Sequence, residues 1–135
     1  MIDEFLDKEK SYQRLKKEFL EYGKLIIAYD FDSTVFDYHN TGCSYEMVRE
    51  LIRKWKDYAY FIVFTSSDED RFEEISRILK ELNIPYNSIN GDAPFITFKG
   101  RKVYYNILLD DRAGLSQTYE ELTRLYKEEI ESKVS

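Results

Sequence analysis

The chain has 135 residues, with 20 Lys and Arg against 26 Asp and Glu and a formal net charge of -6. This length suits one domain with one core, and the acidic balance argues against a duplex nucleic-acid surface, whose affinity comes mostly from phosphate neutralisation. A single cysteine, Cys43, excludes an intrachain disulfide; no apolar run approaches membrane-spanning length, and the opening MIDEFLDKEK is unlike a signal or transit peptide, so a cytoplasmic location is expected.

Along the chain, Phe5, Leu6, Tyr12, Leu15, Phe19 and Leu20 recur at helical spacing, predicting a helix over residues 2–22 that Gly23 stops. Leu25-Ile26-Ile27-Ala28-Tyr29 is then too continuous for a strand with one wet face and suits a central parallel strand. It breaks into Asp30 and Asp32. A loop over 36–43 follows, and Ser44 is placed to cap a helix running to Lys56, with Met47, Val48, Leu51, Ile52 and Trp55 on its apolar face. The run YAYFIVFT, residues 58–65, predicts a second buried strand that ends in Thr65-Ser66-Ser67.

Ser67 or Asp68 can cap a third helix through Leu82, with Phe72, Ile75, Ile78, Leu79 and Leu82 inward; Asn83 and Pro85 stop it. Residues 86–89 form a short strand candidate closed by Asn90-Gly91, and 94–102 read as irregular. Residues 103–109, VYYNILL, predict the last buried strand, which ends in Asp110-Asp111. Gly114 breaks the chain before a final helix from Ser116 to Glu131, burying Tyr119, Leu122, Leu125, Tyr126 and Ile130. Repeated strand–helix units predict a single-domain, three-layer α/β fold with a parallel, Rossmann-like sheet.

Three predicted strands therefore end in polar groups: Asp30 and Asp32, Thr65 and Ser66, Asp110 and Asp111. In a parallel sheet these ends share one edge, where open α/β sheets bind ligands. Clustered carboxylates repel one another, and a divalent cation is the simplest balance. Acids without a His or Cys among them select a hard, oxygen-seeking ion such as Mg²⁺.

Asp30-Phe31-Asp32-Ser33-Thr34 resembles the DxDx[TV] signature of the haloacid dehalogenase superfamily of phosphohydrolases. A strand ending in Thr/Ser, a lysine and a strand ending in Asp-Asp follow in the order that family uses. Asp110-Asp111-Arg112 also looks like the matching segment of small deoxyribonucleotidases. The resemblance covers residues 25–112. It implies a phosphomonoesterase in which Asp30 is the nucleophile and forms an aspartyl-phosphate. Asp32 is then the acid and base. Mg²⁺ is held by Asp30, Asp110 and the Asp32 carbonyl, with Asp111 in support.

Thr65 and a lysine would stabilise the phosphoryl oxygens. Lys99 and Lys102 both precede the last strand, and Lys102 is preferred because it leads directly into it. Ser33 departs from the glycine frequent at its position. The short intervals between motifs leave no room for a large cap domain, so the expected site is open, which suits large substrates; the substrate expected from the resemblance is a phosphorylated small molecule, a nucleotide or a nucleic-acid end. Closure by a loop or by a partner subunit in a homo-oligomer stays open. Phe36, Tyr38, His39 and Tyr45 are candidates for an aromatic wall or for ordinary packing; Arg112 for substrate binding or for pairing with its acidic neighbours. Asp37 reads as a turn or capping residue.

Two other readings compete. A regulatory phosphate-binding module, like a response-regulator receiver, combines the same residue types but carries its acceptor Asp after a middle strand and its acidic pair after the first. A glycosyltransferase using DxD would need an acceptor domain that 135 residues do not accommodate.

Overall fold

The computed structural model describes residues 3–98 and 100–134, the latter without the Val134 side chain. A 3₁₀ turn at Glu4–Leu6 leads into α1 (Lys8–Tyr22). The Asp7 carboxylate starts this helix by accepting the backbone N–H groups of Glu9 and Lys10. Gly23 ends it at φ 70°, donating its N–H to the Phe19 carbonyl. The predicted single helix over 2–22 is thus shorter and begins with a separate turn, because Asp7 caps inside it. Phe5, Leu6 and Leu20, expected inward, are exposed; Ile2 lies outside the described residues.

Strand β1 (Leu25–Asp30) is followed by α2 (Glu46–Lys54), β2 (Ala59–Phe64), α3 (Phe72–Glu81), the two-residue β3 (Ser88–Ile89), β4 (Ile107–Leu109) and α4 (Leu115–Tyr126). A π-helical stretch, Lys127–Glu131, and a last turn, Ser132–Val134, extend α4. The four strands are parallel, in the order β3-β2-β1-β4. The chain is a mixed α/β protein with a four-stranded parallel sheet flanked by helices, of Rossmann-like type. Among the described residues no helix is long and apolar enough to cross a membrane.

Side-chain alternation along the strands sorts the two faces of the sheet. Leu25, Ile27 and Tyr29 of β1, with Phe61 and Val63 of β2, pack against Phe19, Ile52, Trp55, Ile75, Leu79, Leu122 and Leu125 from the four helices. Trp55 centres this layer: it is fully buried, edge-on to Phe19 and Tyr126, and its indole N–H donates to the Leu122 carbonyl at 3.2 Å. Ile26, Ala28 and Ile62 point the other way and pack against Ala93, Ile96, Val103 and Tyr105.

The third layer of the fold is therefore coil, supplied by residues 91–98 and 100–105. This connection must carry the chain from β3 at one edge, past β2 and β1, to β4 at the other edge. An extended backbone covers that distance in fewer residues than a helix. The same requirement shortens the last strand: pairing begins only at Ile107, and residues 103–106 belong to the crossing. Asn106 closes it, giving its N–H to the Ile26 carbonyl at 2.9 Å and accepting the Ile26 N–H on its side-chain oxygen at 2.7 Å.

Other boundaries shift for local reasons. Ser44 accepts the Glu46 N–H at 3.2 Å, as a capping residue should, but Tyr45 enters the left-handed region between them and α2 ends at Lys54. Met47, expected inward, is 70% exposed. Neither Ser67 nor Asp68 caps α3 directly; a 3₁₀ turn, Glu69–Arg71, intervenes.

Candidate active site

Strand order fixes where the site lies. From β1 the chain moves to β2 and β3 on one side, then returns to place β4 on β1's other side. The reversal leaves a crevice outside the carboxyl ends of β1 and β4, the usual ligand position in open α/β sheets. Register aligns Tyr29 with Leu109, so the next residue of each strand is an aspartate: Asp30 and Asp110.

Asp30, Asp110 and Asp111 each offer a carboxylate oxygen within 4.8 Å of the others. Burial pushes the Asp30 carboxyl up to about 7, helped by the charges of Asp110, Asp111 and Asp32 and a hydrogen bond with Asp111. Thr34 ties the group together. Its hydroxyl, at 0% exposure, lies 3.4 Å from Asp30 Oδ2 and 3.2 Å from Asp111 Oδ1, and accepts the Asp111 backbone N–H at 3.0 Å. Asp110 Oδ1 in turn accepts the Arg112 backbone N–H at 2.9 Å. Three mutually repelling carboxylates with only oxygen donors fit a hard divalent ion.

The loop after Asp30 turns back at once. Phe31 and Val35 are fully buried beneath it, and Phe36 stacks on Phe31 with ring centroids 5.0 Å apart. Ser33 adopts φ 65°, the left-handed region, which explains why glycine would suit this position, and its N–H donates to the Phe36 carbonyl at 2.8 Å. Asp32 does not join the three-carboxylate group. Arg71 holds it through both terminal nitrogens, Nη1 to Oδ2 at 2.7 Å and Nη2 to Oδ1 at 2.9 Å.

Thr65 stands half-buried just past β2, its backbone gripped by Asn90. The Asn90 side-chain oxygen accepts the Thr65 N–H at 3.0 Å, and its amide donates to the Thr65 carbonyl at 2.8 Å. The Thr65 hydroxyl accepts the Ser67 N–H at 3.1 Å. Lys102 is exposed in the coil layer, and among the described residues it makes no ion pair with the acids; Lys99 lies outside the described residues.

The structure thus brings together Asp30, Asp110 and Asp111, sets Asp32 beside them in a separate ion pair, and does not join Lys102 to the group. Asp37 is a turn residue, accepting the Thr41 N–H and hydroxyl and the Gly42 N–H. His39 and Cys43 are exposed, and the Arg112 contact to Asp110 is through its backbone. Sequence reasoning missed three residues. Thr34 was visible only as the last letter of the Asp-x-Asp stretch, Asn90 only as half of a turn dipeptide. Arg71 follows three acidic residues and carried no signal that it pairs with Asp32, 39 positions earlier.

Comparison with known proteins adds the fold alone. No family model matches the chain, and no curated protein matches it. A solved structure described as that of a conserved protein from Bacteroides thetaiotaomicron superposes with a TM-score of 0.60 at 19% identity, covering 83% of this chain and 98% of that one. At that identity the likeness speaks to the shared α/β architecture and not to chemistry.

Proposed function

We propose that the chain is a Mg²⁺-dependent phosphomonoester hydrolase of haloacid dehalogenase type that works through an aspartyl-phosphate. The observation that carries this reading is the meeting of Asp30, Asp110 and Asp111 within 4.8 Å at the ends of adjacent parallel strands. Asp30 would attack phosphorus through one carboxylate oxygen, and the ester P–O bond breaks as the leaving alkoxide takes a proton from Asp32. Water then attacks the phosphorus of the acyl phosphate and gives its proton to Asp32. Inorganic phosphate leaves, and Asp30 is restored. Asp30 and Asp110, with the Asp32 carbonyl and with Asp111 in support, would hold Mg²⁺. When bound, the ion screens the repulsion between nucleophile and phosphate and stabilises charge in the transition state.

Thr65, fixed by Asn90, is the candidate donor to a phosphoryl oxygen, and Lys102 is kept as the preferred lysine beside Lys99, although the strand expected to follow it directly starts only at Ile107. The substrate class on this reading is a phosphorylated small molecule, a nucleotide or a phosphorylated nucleic-acid end. Hydrolysis of p-nitrophenyl phosphate with and without Mg²⁺, beside Asp30→Asn, tests it. Mg²⁺-dependent turnover lost in Asp30→Asn supports the assignment; wild-type rates in that variant sink it. A panel of 5′- and 3′-nucleotides, phosphorylated DNA ends and phosphorylated metabolites then narrows the substrate.

A further inference from the structure

Arg71 occupies a position that the aspartyl-phosphate reading does not use. It ends the 3₁₀ turn leading into α3, and α3 is anchored in the core through the fully buried Ile75 and Leu79. From that fixed backbone its guanidinium spans two strand ends. Nη1 and Nη2 fork onto both oxygens of Asp32, in the loop after β1, while Nη1 also donates to Ser67 Oγ at 2.8 Å, in the loop after β2. The guanidinium carbon lies 5.6 Å from the centre of the Phe31 ring and 5.3 Å from that of Tyr38.

The side chains of Arg71 and Asp32 are 20% and 28% exposed, so this pair is partly withdrawn from water, unlike an ordinary surface ion pair. A two-point fork fixes the rotation of a carboxylate as well as its distance, which a lysine cannot do. We infer that Arg71 is a positioning residue for ionised Asp32, the form that takes the proton of the attacking water: it fixes the carboxylate beside the Asp30 group, with Ser67 and the Phe31 and Tyr38 rings holding the fork in turn. This rests on the phosphohydrolase reading for its catalytic meaning. The geometric claim, that Arg71 sets the Asp32 side-chain conformation, stands apart from it.

The experiment compares Arg71→Ala, Arg71→Lys, Asp32→Asn and the Arg71→Ala/Asp32→Asn double variant, with Arg77→Ala as a control. Arg77 is exposed on α3, the helix that Arg71 leads into, and pairs with Glu81 one turn on. Turnover of p-nitrophenyl phosphate at saturating Mg²⁺ is read as kcat and KM, and the Asp32 side-chain rotamer is read by NMR couplings without substrate. Arg71→Ala is expected to lose on the order of 10²-fold in kcat, the scale for a misplaced catalytic group, with KM little changed. Arg71→Lys should recover only part of this, added guanidinium should restore activity to Arg71→Ala but not to Asp32→Asn, and the double variant should be no slower than Asp32→Asn alone.

The NMR readout should show one Asp32 rotamer in the wild type and averaging in Arg71→Ala. Losses that add in the double variant, absence of guanidinium rescue, or an Asp32 rotamer indifferent to Arg71 would each overturn the inference. A wild-type protein with no Mg²⁺-dependent turnover would defeat the hydrolase reading instead, and the rotamer measurement would still decide the role of Arg71.

Discussion

The Thr34 hydroxyl accepts the Asp111 backbone N–H at 3.0 Å, joining the loop after β1 to the end of β4 across the switch point of the sheet. The same oxygen lies within hydrogen-bonding distance of Asp30 and of the Asp111 carboxylate. One buried hydroxyl thus sets the spacing of two acids that are distant in sequence. Thr34→Val keeps the shape but strands the Asp111 N–H, at a cost of about 1–3 kcal/mol. Loosening the carboxylates should also weaken Mg²⁺ binding by about 10-fold or more. Denaturant melts and Mg²⁺ titration calorimetry check both; unchanged Mg²⁺ affinity would remove Thr34 from the site.

The raised Asp30 carboxyl predicts a pH dependence of stability in metal-free protein. Its proton is held more tightly in the folded chain, about 7 against an ordinary 3.8. The contribution is therefore full at acid pH, below the ordinary value, and is lost as pH rises through about 7. Between those values the wild type should lose stability relative to Asp30→Asn, which cannot titrate there. Parallel melting curves for the two proteins across this range would contradict the burial and charge crowding assigned to Asp30.

Ser33 tests the backbone of the loop after Asp30. A non-glycine residue at φ 65° is held in a region that disfavours a Cβ atom. Ser33→Gly relieves that strain but adds freedom to the unfolded chain, for a net gain of about 0.5–1 kcal/mol. Chemical denaturation measures it, and a loss of stability would mean that the Ser33 hydroxyl contributes more than the strain costs.

Much of this organisation is legible in the chain. Continuous apolar runs mark β1 and β2 because a strand buried on both faces needs no alternation, and the acids at the ends of β1 and β4 stand out against them. Residues 94–98 and 100–102 read as irregular and are so, but the course of this crossing over the sheet is not legible, because it is set by which edge β4 takes and not by local periodicity. Tyr104 and Tyr105 read as strand residues by composition, yet they lie before the pairing starts at Ile107. Arg71 is hidden for a similar reason: its partner is supplied by a neighbouring strand end, and nothing near it in sequence points there.

Asn90 separates positioning from stability. Asn90→Ala removes both side-chain bonds to the Thr65 backbone, while Asn87→Ala removes a like bond to the Phe61 N–H at 2.7 Å, inside β2 and away from its end. Each should cost about 1–2 kcal/mol. Only Asn90→Ala should also slow phosphate-ester turnover, by roughly 10-fold, because only it frees Thr65. Equal turnover in the two variants would detach Thr65 from the chemistry.

The proposed hydrolase mechanism requires that Asp30 become covalently phosphorylated. Acid-quenching the protein during incubation with a phosphate ester and Mg²⁺, trapping with borohydride and mapping the modified peptide by mass spectrometry tests it. One acyl-phosphate is expected, at Asp30, and none in Asp30→Asn. Turnover that proceeds with the phosphoryl group on another residue, or that survives in Asp30→Asn, would contradict it.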